Sequence, residues 1–258
     1  VKWDFNRSVC DKYSHALPAD RQGEMAHRFI LGLYRVLETL TRDFPQVLFE
    51  GCSGGGGRFD AGMLYYTPQI WCSDDTDAIE RLQIQYGTSF GYPVSAMGAH
   101  VSAVPNHQTG RMTPLSTRGC VAMAGTFGYE LDLNKLTEEE KEEISGQIRT
   151  FKEFYDCIQY GDYYRLTSPL SGSCTVWETV APDASEALVS AVYHHVQANP
   201  VPVYVKLRGL EEKASYRLSL VGKEEEMTLS GAALMHAGLP IPPAKGDYCA
   251  WQIHLIRM

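Results

Sequence analysis

At 258 residues the chain has room for one large domain or two smaller ones, each burying its own core. Hydrophobic and charged fractions of 44% and 21% are those of an ordinary globular protein. With 23 Lys and Arg scattered among 31 Asp and Glu, and a net charge of -8, no basic face exists for a polyanion, so nucleic acid is excluded as a partner and a neutral or cationic ligand fits better. Seven cysteines without a C-x-x-C spacing, an odd number that leaves one thiol unpaired, point to a reducing, cytoplasmic compartment. No window is apolar and uncharged over the length of a membrane span, so no membrane partner is expected. The sequence enters on Val1-Lys2-Trp3-Asp4 as though already inside a strand, and is expected to continue on its N-terminal side.

In chain order, residues 1–7 read as the end of a strand. Over residues 23–43 the apolar positions Met25, Phe29, Ile30, Leu33, Val36, Leu37 and Leu40 recur at helical spacing and predict an amphipathic helix with one buried stripe, closed by Pro45. The apolar run 47–50 then predicts a strand, and strand–helix–strand is the unit of a parallel sheet. Asp77 with Glu80 predicts a capped helix start, Tyr92-Pro93-Val94-Ser95 a short strand, and residues 99–112 a long loop. Thr113-Pro114 opens a helix expected to stop at Gly128. Thr137 with Glu140 opens another, stopping near Gly161. From about Tyr163 the texture changes to short β-rich runs at 164–167, 174–180, 188–196, 201–207, 216–221 and 248–256, the spacing of an antiparallel sandwich. A domain boundary is therefore predicted at 160–162, dividing the chain into 1–161 and 162–258. Lys223-Glu224-Glu225-Glu226 reads as a solvated turn.

Two stretches concentrate polar chemistry at the ends of apolar runs. Gly51-Cys52-Ser53-Gly54-Gly55-Gly56-Gly57 follows a predicted buried strand, and four glycines in a row let the backbone lie against a ligand. A phosphate loop would need Lys followed by Ser or Thr, where this chain has Arg58-Phe59. Gly51-Cys52-Ser53-Gly54-Gly55 also fits G-x-S-x-G, a nucleophile elbow, but an elbow runs straight into a helix and four glycines do not favour one. In Trp71-Cys72-Ser73-Asp74-Asp75-Thr76-Asp77, repulsion among carboxylates would raise at least one pKa, as a proton donor requires, although Asp77 is more simply a helix cap. Asp4 lies between Lys2 and Asn6, on the same side of an extended chain, where a cation and an amide keep a carboxylate ionised. Two acids held in opposite states are the apparatus of glycoside hydrolysis. The histidines lack metal-site spacing, so no metal is expected.

Four motifs in order, Lys2-Trp3-Asp4-Phe5-Asn6-Arg7, Glu50-Gly51-Cys52-Ser53-Gly54-Gly55-Gly56-Gly57-Arg58-Phe59-Asp60, Trp71-Cys72-Ser73-Asp74-Asp75-Thr76-Asp77 and Val104-Pro105-Asn106-His107-Gln108-Thr109-Gly110-Arg111, resemble the α-galactosidases of glycoside hydrolase family 36. The resemblance covers the C-terminal part of such proteins. It implies an α/β fold class, the C-terminal half of a (β/α)8 barrel of the TIM type followed by an antiparallel β-sandwich domain. By the same resemblance Asp4 would be the nucleophile and Asp74 the acid and base of a retaining reaction. Lys2 and Asn6 would bond sugar hydroxyls, and Cys52, Gly55 and Trp71 would line the sugar site. Phe5 stands where the family commonly has methionine. The expected substrate is a small α-galactoside of melibiose or raffinose type, with no cofactor, in a homo-oligomer, a tetramer by resemblance. A galactosyl transferase of the raffinose or stachyose synthase type, or a carbohydrate-binding module without turnover, are the alternatives.

Overall fold

The computed structural model describes residues 1–7, 10 and 12–258, which divide into two units, Val1–Asp74 and Asp75–Met258. In the first, three short parallel strands, β1 (Lys2–Trp3), β2 (Glu50–Gly51) and β3 (Gln69–Ile70), lie side by side in that order. Their register sets Lys2, Glu50 and Gln69 on one rung and Trp3, Gly51 and Ile70 on the next. Helix α1 (Met25–Asp43) connects β1 to β2, as strand–helix–strand spacing predicts. Its expected stripe is only partly covered. Leu37 is buried, while Ile30 and Val36 are exposed; within this unit the helix packs mainly on α3 (Ala61–Tyr66) and the 3-10 turn before it, with Phe29 stacked on Phe5. Asp60 caps α3 by accepting the Met63 amide proton at 2.8 Å.

Between β2 and α3, Ser53–Gly56 forms a single turn, α2, in which Ser53, Gly54, Gly55 and Gly56 all have positive φ, from 63° to 87°. A left-handed turn costs an L-residue roughly 1–2 kcal/mol per position, and glycine escapes that cost. The run of glycines is therefore a backbone requirement. Its handedness also removes the elbow reading of Ser53, which needs a right-handed helix to follow.

The second unit opens with α4 (Ala78–Thr88), β4 (Gly98–Ser102), α5 (Leu115–Ala122), β5 (Thr126–Glu130), α6 (Glu138–Glu153) and α7 (Tyr155–Tyr160). β4 and β5 are parallel, and one face of the pair, Ala99, Val101, Phe127 and Tyr129, packs on Leu115, Ala122 and Ile144. Three expectations are corrected here. Tyr92–Ser95 is not a strand: Val94–Ala96 is a 3-10 turn. The strand is Gly98–Ser102, all but its first residue within the stretch read as loop. Nearly every position in it is buried, and its alternation rests on Ala99 and Val101 alone, which is too short a pattern to stand out. Gly128 does not end α5 but lies within β5, where a Cβ would come 2.9 Å from the His100 ring. The Thr137 capping box is present, with Thr137 Oγ1 accepting from Glu140 N and Glu140 accepting from Thr137 N.

The remaining strands are β6 (Asp162–Arg165), β7 (Cys174–Val180), β8 (Glu186–Tyr193), β9 (Tyr204–Val205), β10 (Ser215–Leu220), β11 (Glu226–Ser230), β12 (Leu239–Pro240) and β13 (Cys249–Arg257). Six form one antiparallel sheet, β11-β10-β13-β8-β7-β6, and β9 pairs with β12. Val205, Leu207, Leu239 and Ile241, on or beside that short pair, pack with Val176, Val189, Leu218 and Leu255 of the large sheet as a second layer. On the sheet's other face, Trp177 and Val192 meet Ala78, Leu82, Cys120 and Val121 of α4 and α5. Cover on both faces explains why every residue of β7 is buried, the polar Thr175, Glu178 and Thr179 included. The predicted run at 201–207 shrinks to two paired residues, and the acidic stretch read as a turn ends in an edge strand starting at Glu226.

Candidate active site

Parallel strands place their C-terminal ends along one edge of a sheet. Asp4, Cys52 and Trp71 each follow the last residue of β1, β2 and β3, so they form the next rung at that edge. Lys2 reaches the same place from one rung below, its Nζ 4.8 Å from the centre of the Trp71 ring, a cation–π contact. Trp71 and Cys52 are buried, and Asp4 and Asp74 are exposed.

Asp4 is held by donors from two directions. Asn6 Nδ2 donates to Oδ2 at 2.8 Å, and the Gly54 amide donates to Oδ1 at 3.3 Å. The Asn6 amide, then the Cys52 thiol, the Gly54 N–H and the Lys2 charge keep its pKa below the ordinary carboxylate value. Cys52 shifts the other way. Burial raises its pKa, and the bond to Asp4 raises it further, so at neutral pH it remains a thiol that can donate.

The glycine turn touches both acidic residues. Gly54 gives its N–H to the Asp4 carboxylate, and Gly55 lies so close to the next strand end that a Cβ on it would stand 2.5 Å from Asp74 N. A Cβ on Gly56 would stand 3.1 Å from Cys72 O. At Gly55 and Gly56 the close approach is to the backbone of residues 72–74. Arg58 was missed as a positioning group: it donates to Phe5 O at 2.5 Å and Arg7 O at 3.1 Å, and its guanidinium lies 4.2 Å from the Phe5 ring centre. Nothing local in the sequence signals that clamp, since its partners lie about fifty residues away.

In the second unit the 104–111 motif is bonded to the segment 76–80. Asn106 Nδ2 donates to Thr76 Oγ1 at 3.1 Å, Gln108 Oε1 accepts from Thr76 N at 3.2 Å, and Ser102 Oγ donates to Thr76 O at 2.9 Å. Thr109 and Arg111 both bond the Asp77 carboxylate, which also caps α4 by accepting from Ile79 N and Glu80 N. Burial alone would raise the Asp77 pKa, but these hydrogen bonds outweigh it and the net shift is downward. Repulsion therefore does not govern Asp77, and the cap reading is the correct one. Among the described residues no three His, Cys, Asp or Glu side chains converge as a metal site requires.

Residues 1–161 match the family model described as Melibiase, and residues 174–255 that of the glycosyl hydrolase family 36 C-terminal domain. The chain belongs to the melibiase family. The melibiase parallel strands are those of a (β/α)8 barrel, and the antiparallel sheet is the family 36 C-terminal β domain. Among relatives of this melibiase chain, the bifunctional alpha-galactosidase/sucrose kinase AgaSK of Mediterraneibacter gnavus is 54% identical over 98% of the chain and 26% of its own length. The crystal structure of the α-galactosidase AgaB from Geobacillus stearothermophilus superposes with a TM-score of 0.95 at 50% identity, covering the whole chain and 35% of AgaB. A variant of AgaA from the same organism, solved in complex with raffinose, gives 0.95 at 49%, again over the whole chain and 35% of AgaA. The chain thus spans about a quarter to a third of the length of these relatives.

Proposed function

We propose that this chain supplies the two reacting acids of a retaining α-galactosidase that hydrolyses terminal α-D-galactosyl residues from melibiose- and raffinose-type sugars. The observation that carries the reading is the left-handed turn that donates an N–H to Asp4 and packs against the backbone of Asp74. Asp4, kept ionised, attacks the anomeric carbon, and Asp74 protonates the departing oxygen. A covalent galactosyl-enzyme forms, and Asp74 then takes a proton from the water that releases galactose with its configuration retained. This route calls for carboxyl groups about 5–5.5 Å apart. Lys2, Asn6, Cys52, Gly55 and Trp71 surround the sugar. As the reaction advances Cys52 and Asn6 must give up part of their bonding to Asp4, and both are neutral donors that can turn to sugar oxygens.

The raffinose complex of AgaA supports the substrate class. In the whole protein we place the catalytic barrel at residues 1–161 and the β domain at 162–258, in a cytoplasmic homo-oligomer; no helix of the described residues is long and apolar enough to cross a membrane. The deciding experiment uses the whole protein and p-nitrophenyl α-galactoside. Asp4→Ala should lower kcat by at least ~10³-fold, and added azide should restore part of the rate while yielding a β-galactosyl azide. Near-normal turnover by Asp4→Ala would refute the assignment.

A further inference from the structure

Among the described residues, Ser53, Ala184, Asn199 and Tyr248 have left-handed backbone without being glycine. Tyr248, at φ 61°, is the largest of them. A bulky side chain in that region is an outlier, and such strain persists only where the surroundings over-determine the conformation. Here they do so from both sides. Asp247 Oδ1 accepts the Val196 N–H at 2.7 Å, and Cys249, the first residue of β13, is paired with Tyr193 of β8. Between them the Tyr248 carbonyl accepts from the hydroxyl of Thr117, a fully buried residue of α5. Glycine would take this backbone without strain, so what tyrosine adds is its ring.

The ring lies against Arg111. The guanidinium carbon is 5.7 Å from the ring centre, a cation–π contact. The same guanidinium bonds the Asp77 carboxylate through one nitrogen and reaches Glu80 Oε1 through another, at 3.4 Å. A guanidinium packed on a ring gives up rotamers that it would otherwise sample, and its fork stays on the carboxylates. Asp77 follows Asp74 by three residues. Ser102, Asn106 and Gln108 fix Thr76, and Arg111 with Thr109 fixes Asp77, so the chain leaving Asp74 is anchored within three residues.

We propose that Tyr248, on the loop before β13, is a positioning residue for the acid Asp74, acting through Arg111 and Asp77. The proposal rests on the role given to Asp74 above. A proton donor works only within hydrogen-bond reach of the departing oxygen, so a loosened Asp74 slows the substrates that need its proton and spares those that do not.

The test uses the whole protein and two substrates of similar size, p-nitrophenyl α-galactoside, whose leaving group needs little protonation, and phenyl α-galactoside, whose leaving group needs more. In a double displacement kcat/KM reports the first step, and the ratio of the two values cancels the amount of folded enzyme. Asp74→Ala should raise the p-nitrophenyl to phenyl ratio most. Tyr248→Gly, which accepts the left-handed backbone and removes the ring, should raise it about tenfold. Tyr248→Phe keeps the ring over Arg111 and should keep the wild-type ratio. An unchanged ratio in Tyr248→Gly, or the same rise in Tyr248→Phe, would overturn the inference while leaving the role of Asp74 standing. An unchanged ratio in Asp74→Ala would overturn both.

Discussion

The charge state of Asp4 is set by neighbours that can be removed singly. The Asn6 amide is the largest contributor to its low pKa. In Asn6→Ala the carboxyl pKa should move back up toward the ordinary value, so the acid limb of kcat/KM should shift to higher pH. A profile that keeps its acid limb would separate Asn6 from Asp4. Lys2 and Asn6 beside Asp4 were legible because strand side chains alternate, although β1 itself ends at Trp3. The Cys52 thiol and the Gly54 amide were not, because they arrive from about fifty residues along the chain. The two adjacent glycines distinguish two reasons for needing glycine. At Gly54 a Cβ would meet nothing closer than 3.6 Å, so Gly54→Ala should cost only the left-handed conformation, about 1–2 kcal/mol in urea unfolding, with most of the activity kept. At Gly55 the same methyl runs into Asp74 N, so Gly55→Ala should lower kcat as well as stability.

Helix caps show how burial scales one kind of interaction. Thr137 caps α6 at an exposed site, and Thr137→Ala should cost about 1 kcal/mol with no change in activity. Asp77 caps α4 from a buried position and also neutralises Arg111, which is itself mostly covered. Asp77→Ala removes the cap and leaves Arg111 only its longer contact with Glu80, at 3.4 Å, so we expect a loss of about 2–3 kcal/mol by chemical denaturation. Both caps were readable as Asp or Thr three residues before Glu. Strand β4 was not, since its alternation rests on only two apolar side chains, Ala99 and Val101, too few to stand out in a stretch rich in turn residues. Edge strand β11 was hidden by acidic residues, the same residues that discourage pairing with another chain.

Across the whole chain, the change near residue 160 from helical periodicity to short β runs was plain in the sequence, but the layering of the β domain was not, because β9 and β12 are only two residues each. That domain carries a titration of its own. Glu178 on β7 is fully buried, among the described residues accepts only the Arg208 N–H, at 3.0 Å, and burial raises its pKa to about 8. In the unfolded chain it ionises near the model-peptide value, so between roughly pH 4.5 and 8 the folded state holds the extra proton. Stability should therefore fall as pH rises through that window, by up to about 5 kcal/mol, and level off above it. Glu178→Gln should remove this slope from a series of urea midpoints taken at pH 5, 6, 7 and 8. The seven cysteines, none of them in a disulfide, offer a further consequence. Cys52 is buried in the first unit, and Cys120, Cys157 and Cys174 are buried in the second. Each can meet a thiol reagent only when its surroundings open, so the order of labelling dates the opening of each unit. The first unit's fully covered apolar side chains are few, Leu37, Cys52, Met63, Ile70 and Trp71, whereas the second holds four separate core clusters. At about 1.5–3 kcal/mol for each large buried side chain, the second unit should open later. In sub-denaturing urea, mass spectrometry of alkylated peptides should find Cys52 tagged first and the other three together afterwards, a clock that runs without any introduced label.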